Sequence, residues 1–287
     1  MAENNSGEGE ALHRCEKNIM LVCRESKNGR TIIKVGNVEF GGSTLVVIAG
    51  PCAVESEEQI LTAALAVREA GGNVLRGGAY KPGTSPYPFQ GLKEEGLKYL
   101  NEAGRIVELP IVTEVINEKT LGYALKYVDI VQIGARNMQN FSLLKAVGQA
   151  NIPVILKRGY SATINEWLNA AEYIMAEGND KVIFCERGIS SFETATRYTL
   201  DISAVPVIKS KSHLPIIVDP SCSSCVNKYI IPLAKAAVAA GADGIMVEMH
   251  PKLQDALSDG MQSLDRSQFL ELCNQLMAIE KVTKTFC

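Results

Sequence analysis

Short apolar runs rich in β-branched residues alternate with longer stretches of helical periodicity, and this alternation constrains the fold of the chain most. The stretches between the runs, such as residues 57–70 and 228–240, are long enough to cross between parallel strands. Eight such units within about 240 residues predict an α/β fold, a (β/α)8 TIM barrel. A doubly wound open sheet is the alternative, because periodicity does not reveal whether a sheet closes. The runs are residues 45–49, 73–75, 111–113, 130–133, 154–156, 182–184, 216–218 and 244–247.

The segment before the first run predicts a hairpin and an extension. TIIKVGNVEFGG (31–42) has the pattern of two short alternating strands around Gly36-Asn37, which would close the bottom of a barrel. Residues 1–28 combine polar residues with one short apolar patch and predict a flexible N-terminal extension. We therefore expect residues 29–287 to form a single TIM-barrel catalytic domain with the hairpin at its start.

Composition narrows the functional classes. With 46% hydrophobic and 21% charged residues, the chain has the composition of a soluble globular protein with a core. A net charge of −3 provides no basic footprint for nucleic acid. The start of the chain lacks a leader pattern, no apolar run has the length of a membrane span, and eight cysteines fit a reducing compartment better than a disulfide framework. These features predict a cytoplasmic protein without a nucleic-acid or membrane partner.

Polar side chains stand at or just past the end of all eight runs. In a barrel of parallel strands the carboxyl ends open onto one mouth, so these side chains should converge there. Five of them are cations, which in a chain of net negative charge is typical of a site for a small, multiply anionic substrate, such as a phosphorylated carboxylate. A single charge at a strand end is more often structural. The cations are Arg76, Lys81, Arg136, Lys157 and Arg187.

The same mouth offers thiols and carboxylates, a ligand mixture suited to Zn²⁺, Fe²⁺ or Mn²⁺. The candidate ligands are Cys52, Cys222, Glu248 and Asp259. The alternative for Cys52 and Cys222 is a pair of buried thiols that pack as small hydrophobes. Cys222 and Cys225 also have CxxC spacing, but the surrounding sequence lacks the context of a redox motif. His250 is either a substitute ligand or a packing residue.

These residues lie within longer stretches of distinctive sequence, which extend over about residues 31–282. The stretches are VVIAGPCAVES (46–56), LRGGAYKPGTSPYPFQG (75–91), IGARNMQNF (133–141), ILKRG (155–159), CERGI (185–189), FETATRYTLDISAVP (192–206), IIVDPS (216–221), VEMHP (247–251) and ALSDGMQSL (256–264). Together they resemble the 3-deoxy-D-arabino-heptulosonate 7-phosphate (DAHP) synthase family, in the branch shared with Kdo-8-phosphate synthase.

The resemblance implies a homo-oligomeric TIM-barrel transferase, a dimer or a tetramer, that condenses phosphoenolpyruvate (PEP) with an aldehyde and releases phosphate. It also implies a divalent metal (Mn, Zn or Fe). It implies that Arg76, Lys81, Arg136, Lys157 and Arg187 hold PEP. It further implies that Lys81 is catalytic and that Glu114 orders the attacking water. Cys52, Glu248 and Asp259 match three of the family's four metal-ligand positions. Cys222 stands at the fourth, where the family usually has His, so a metal-free site is the alternative.

The remaining departures fall on the acceptor side of the site, at Gly83, Thr84, Ser85 and Ser190. Gly83 stands where the family usually has Arg, and Ser190 replaces a second Arg. Losing two charge-assisted contacts would weaken erythrose 4-phosphate binding by roughly two to four orders of magnitude. We therefore expect an altered acceptor aldehyde. The alternatives are an ordinary DAHP synthase of the shikimate pathway, which supplies the aromatic amino acids, and an inactive PEP-binding regulatory homologue.

Overall fold

The structure is a computed structural model, and it describes residues 19–81, 85 and 87–284. The strands β1 to β10 are Ile33–Val35, Val38–Phe40, Val46–Gly50, Val74–Arg76, Ile111–Val115, Ile130–Ile133, Val154–Lys157, Val182–Glu186, Ile216–Val218 and Gly244–Glu248. Strands β3 to β10 run parallel and close into a barrel, because β10 pairs with β3 as well as with β9. This closure confirms the predicted TIM barrel and excludes the open sheet.

Helices follow the barrel strands and form the outer layer. In the described part of the chain the helices α1 to α9 are Glu57–Glu69, Glu94–Val107, Glu118–Ala124, Phe141–Ala150, Ile164–Ala176, Ala204–Lys211, Pro220–Ser224, Ile230–Ala239 and Arg266–Lys284. Local sequence sets where they begin: the Ser56 side chain caps α1, and Thr163 forms a capping box with Glu166 at the start of α5. None of these helices is both long enough and apolar enough to cross a membrane.

The predicted hairpin is present, and it closes the N-terminal end of the barrel. Strands β1 and β2 pair antiparallel around Gly36, which has the positive φ of +56° that the tight turn requires. Ile33, Val35 and Phe40 are buried and belong to the same apolar cluster as the barrel interior. The hairpin therefore adds core to the closed end and leaves the opposite end open.

Inside the barrel, an apolar layer is followed by a polar layer at the carboxyl ends of the strands. Buried Val74 is followed two residues later by Arg76 in β4, and Ile155 is likewise followed by Lys157 in β7. Since side chains alternate along a strand, both members of each pair face the interior. Several strands thus extend past the predicted apolar runs. Their last residues keep the hydrogen-bonding pattern of the sheet, and their polar side chains point into the open end of the barrel.

A second apolar cluster fills the space between the strands and the helices. Trp167 on α5 is fully buried there, and its Nε1 donates to the carbonyl of Leu156 at 3.1 Å. Next to α5, the chain at residues 20–22 donates three backbone amides to the carboxylate of Glu172. Cys23 is disulfide-bonded, unlike the free thiols that the composition favours, and the five other cysteines in the described part of the chain are free.

Candidate active site

A cavity of about 340 Å³ opens at the carboxyl ends of the barrel strands. Its lining includes every residue predicted to bind PEP, to bind a metal or to act in catalysis, namely Cys52, Arg76, Lys81, Glu114, Arg136, Lys157, Arg187, Cys222, Glu248 and Asp259. On the predicted acceptor side, Ser85 lines the cavity, whereas Ser190 is exposed and is not part of the lining. The predictions for Gly83 and Thr84 concern positions outside the described residues.

Three candidate ligands form one group. The ligand atoms of Cys52, Glu248 and Asp259 all lie within 4.8 Å of one another. The Cys52 thiol donates to Asp259 Oδ2 at 2.7 Å, and Gln262 Nε2 donates to Glu248 Oε2 at 2.6 Å. One sulfur and two carboxylate oxygens at this spacing fit a divalent transition metal.

Cys222 lies beside this group and is not part of it. Its Sγ is 4.0 Å from Glu248 Oε1 and 3.5 Å from Lys157 Nζ. Burial and the nearby Asp219 carboxylate together raise the pKa of the Cys222 thiol to about 12, against the opposing positive charge of Lys157. Without a metal, Cys222 is therefore a neutral thiol at neutral pH.

Two buried ion pairs form the floor of the cavity. Arg76 Nη1 contacts Glu248 Oε1 at 3.1 Å, and Lys157 Nζ contacts Asp219 Oδ2. Burial opposes the charged form of Asp219, but the positive charges of Lys157 and Arg76 outweigh it and lower the Asp219 pKa to about 2. Asp219 also accepts from the backbone amide of Cys222 at 2.9 Å. The floor is therefore ionised and fixed in place before any ligand binds.

Lys81 links the PEP cations to the ligand group. Its Nζ lies 2.7 Å from Cys52 Sγ and 3.2 Å from the Cys52 carbonyl oxygen. Burial favours the neutral amine, but the interactions with Cys52, Glu114 and Glu248 outweigh it and raise the Lys81 pKa. Burial raises the pKa of the Cys52 thiol, and Glu248 and Asp259 oppose its ionisation as well. Lys81 is thus a charged donor directed at a protonated thiol, and that thiol proton must leave when a metal binds.

Glu114 lines the same cavity, at a position where its charge acts on Lys81. Gln132 Nε2 donates to Glu114 Oε2 at 3.4 Å, and Gln132 itself is buried at the end of β6. A Cβ atom added at Gly134 would lie 2.0 Å from Glu114 Oε1. The glycine therefore leaves the space that the Glu114 carboxylate occupies, which explains why Gly follows the β6 run at this point.

Three arginines and two tyrosines form an arginine–tyrosine ladder on one wall, which consists of Arg136, Tyr160, Arg187, Tyr198 and Arg197. The two rings stack with centroids 5.1 Å apart. The Arg187 guanidinium lies 4.1 Å from the Tyr198 centroid and 4.9 Å from the Tyr160 centroid, and Arg136 and Arg197 each lie over one of the rings. Among the described residues, none of the three arginines forms a salt bridge. The wall carries unneutralised positive charge, which favours anions.

His250 does not substitute for the missing fourth ligand. Its Nε2 lies 3.2 Å from Glu55 Oε2, and its Nδ1 accepts from the backbone amide of Lys252 at 3.1 Å. Glu55 also accepts from the amide of Leu257 at 2.9 Å. The contacts of Glu55 with His250 and with Leu257 hold the loop that leads to Asp259. His250 therefore positions that loop and does not belong to the ligand group.

Sequence reasoning missed five residues of this site. Gln132 and Gln262 bond to Glu114 and Glu248, and Tyr160, Tyr198 and Arg197 belong to the arginine–tyrosine ladder. Gln132 had a usable signal, since it lies two residues after a buried Ile in the same run and therefore faces the interior. The other four lie outside the barrel strands, where no periodicity indicates a direction.

A family model described as the DAHP synthetase I family matches residues 25–285. This chain belongs to the DAHP synthetase I family. Relatives within and near the family include a phospho-2-dehydro-3-deoxyheptonate aldolase from Thermotoga maritima, 53% identical over 267 residues that cover 93% of this chain and 79% of the relative. A 2-dehydro-3-deoxyphosphooctonate aldolase from Syntrophotalea carbinolica is 29% identical over 272 residues, and that alignment covers 88% of this chain and 97% of the relative.

Solved structures agree with this membership in the DAHP synthetase I family. The crystal structure of the DAHP synthase from Thermotoga maritima superposes with a TM-score of 0.91 at 52% identity, over 93% of this chain and 78% of the other. A truncated form of that synthase gives a TM-score of 0.87 at 49% identity, over 92% and 97% of the two chains. The chain is therefore a C–C bond-forming transferase of the aldolase type.

Proposed function

We propose that this protein is a DAHP synthase that condenses PEP with erythrose 4-phosphate and releases inorganic phosphate. The observation that carries the proposal is the cavity itself, because the five predicted cations and the Cys52–Glu248–Asp259 group line one space in a chain 53% identical to a phospho-2-dehydro-3-deoxyheptonate aldolase. That product has seven carbons, which PEP and a four-carbon phosphorylated aldehyde supply. An acceptor aldehyde other than erythrose 4-phosphate, which the sequence predicts, is kept as one possible outcome of the activity test.

PEP carries a carboxylate and a phosphate, and the cavity offers two kinds of cation for them. Arg76, Lys81 and Lys157 sit on the floor, where carboxylate and thiol partners hold them in place. Arg187 is 7% exposed, and among the described residues it donates only to the carbonyl oxygens of Gly188 and Cys222. Its guanidinium thus keeps donors for an incoming anion. Fixed cations of this kind hold the plane of the enol so that one face meets the aldehyde.

In the condensation, C3 of PEP bonds to the aldehyde carbon and the oxygen of a water molecule bonds to C2. The bond between C2 and the oxygen that bridges to phosphorus then breaks, the C2 hydroxyl gives up its proton as it becomes the ketone, and phosphate leaves with the bridging oxygen. A divalent metal held by Cys52, Glu248 and Asp259 would supply Lewis acidity toward the aldehyde oxygen. Lys81 holds a proton at Nζ beside the same group, where it serves as the donor to the oxygen that gains charge. Glu114, which lines the same cavity, orders the water.

The direct test measures phosphate release from PEP with three acceptors: erythrose 4-phosphate, erythrose and arabinose 5-phosphate. Each reaction is run after chelation, with and without added Mn²⁺ or Zn²⁺. We expect metal-dependent release with erythrose 4-phosphate and at least about tenfold lower kcat/KM with the other two. Turnover of another aldehyde in place of erythrose 4-phosphate would establish an altered acceptor. Absence of phosphate release with every aldehyde, in a protein that still binds PEP, would favour the inactive regulatory homologue.

A matched pair of variants separates chemistry from folding. Lys81→Met removes the donor beside the ligand group and should abolish turnover, whereas Lys34→Met changes an exposed lysine of the hairpin, 2.8 Å from Glu39, at the closed end of the barrel. We expect the Lys34 variant to turn over erythrose 4-phosphate as the parent enzyme does. Equal activity of both variants would contradict the role given to Lys81.

A further inference from the structure

One cation of the cavity has no part in the proposed binding of PEP, and it belongs to the arginine–tyrosine ladder. Six cations line the cavity among the described residues, and five of them are those assigned to PEP. Arg197 is the sixth. It lies outside the barrel strands, on the segment that follows β8, and its side chain faces the same space as Arg136 and Arg187.

Arg197 occupies the end of the ladder away from Arg136. Arg136 lies 5.8 Å from the centroid of Tyr160, and Arg197 lies 5.5 Å from the centroid of Tyr198. Arg187 lies between these two ends, over both rings. Anions can therefore be held on either side of Arg187, and the two ends do not share a ring.

The contacts of Arg197 leave most of its donors free for a ligand. Its Nη1 lies 4.0 Å from Cys225 Sγ, a weak acceptor, and its guanidinium also bonds to the Tyr198 side chain. Among the described residues no carboxylate pairs with it. The ring of Tyr198 holds the plane of the guanidinium, which reduces the entropy lost on binding. Arg197 is also exposed to solvent, whereas Arg187 is buried, so an anion that enters from solvent meets Arg197 before Arg187.

We propose that Arg197 binds the phosphate group of the acceptor aldehyde and so forms a second anion subsite at the outer end of the ladder. The assignment rests on the proposed function, because it takes the acceptor to be phosphorylated. It places the phosphate of the acceptor toward solvent and the aldehyde carbon toward the ligand group. Selection for a phosphorylated acceptor then depends on a residue outside the barrel strands.

The kinetic test compares Arg197→Ala with Arg197→Lys. The Ala variant should raise KM for erythrose 4-phosphate about tenfold or more, with KM for PEP unchanged, because one charge-assisted contact is lost. The Lys variant should recover part of the loss, since it keeps the charge without the planar fork. The control is Arg105→Ala in α2, an exposed residue 3.0 Å from Glu102 in the helix turn that precedes β5. An equal rise in both KM values would overturn the proposal and make Arg197 a support for Arg187.

A binding test does not depend on turnover. Inorganic phosphate is titrated calorimetrically into the protein saturated with PEP, in the absence of any aldehyde. The parent protein should bind one phosphate, and Arg197→Ala should lose that binding while Arg105→Ala keeps it. If the parent protein does not bind phosphate, the proposed subsite is refuted. It is refuted equally if the parent and both Arg197 variants bind phosphate with the same affinity. If the parent binds phosphate through Arg197 but does not turn over erythrose 4-phosphate, the proposed function fails and the subsite stands.

Discussion

Replacing Asp219 with Asn removes the negative charge that pairs with Lys157 in the floor of the cavity. Both side chains are buried, with 0% of the Asp219 side chain and 6% of the Lys157 side chain exposed. The substitution keeps the shape and the acceptor for the Cys222 amide, but it leaves a buried ammonium without its counter-charge. Removal of one partner from a buried pair costs about 3–5 kcal/mol, so we expect a loss of about 3 kcal/mol in the free energy of unfolding at pH 7.

The pH dependence provides a separate check on that number. The pKa of Asp219 falls from its ordinary 3.8 to about 2 in the folded protein, which corresponds to about 2 kcal/mol of stability. Because the folded pKa is the lower one, this stability is present above pH 4 and is lost as the pH falls toward 2. The difference between parent and variant should therefore shrink by about 1 kcal/mol between pH 6 and pH 3.

The assay is equilibrium urea unfolding at both pH values, with the double variant Asp219→Asn/Lys157→Met as the matched comparison. The double variant should be more stable than Asp219→Asn alone, because no unpaired charge remains buried. Equal stability of the parent and Asp219→Asn at pH 7 would refute the claim that the floor is a fixed ion pair. A difference that does not change with pH would refute the lowered pKa.

Three further predictions concern the ligand group, the water site and the core. Glu248→Gln should lower Mn²⁺ affinity at least about tenfold in equilibrium dialysis, because it removes a charged ligand and leaves Arg76 unpaired; unchanged affinity would place the metal elsewhere. Gly134→Ala should lower kcat and cost about 1–3 kcal/mol on urea unfolding, because its Cβ would lie 2.0 Å from Glu114 Oε1; parent-like kcat and stability would contradict this. Trp167→Ala should cost about 3–5 kcal/mol in the same assay, and a loss below about 1 kcal/mol would contradict full burial.

Much of the fold follows from sequence periodicity. The eight apolar runs predict the eight barrel strands, and the hairpin around Gly36 follows from alternation on both sides of a turn. The strand ends differ, since β4 extends to Arg76 and β7 to Lys157. A charged residue usually marks the end of an apolar run, yet here the strand continues because the charge points into the polar floor of the cavity, where a buried carboxylate pairs with it.

The site is predictable as a set of residues and less so as a set of contacts. Closure of the barrel is enough to bring Arg76, Lys157 and Glu248 to one mouth. Sequence spacing does not show that Lys157 pairs with Asp219 or that Cys222 lies outside the ligand group, because these contacts depend on side-chain packing across neighbouring strands. The position of the Arg197 side chain is harder still to predict, because a loop has no regular alternation from which the orientation of a side chain could be inferred.

The most direct test of the central claim is carbon NMR of the product made from PEP labelled with ¹³C at C3 and unlabelled erythrose 4-phosphate. If the protein is a DAHP synthase, the labelled carbon should appear as a methylene bonded to the former aldehyde carbon, in step with phosphate release and only with metal present. A labelled carbon that appears as the methyl group of pyruvate would mean that the cavity only hydrolyses PEP. That result would contradict the condensation of PEP with the aldehyde.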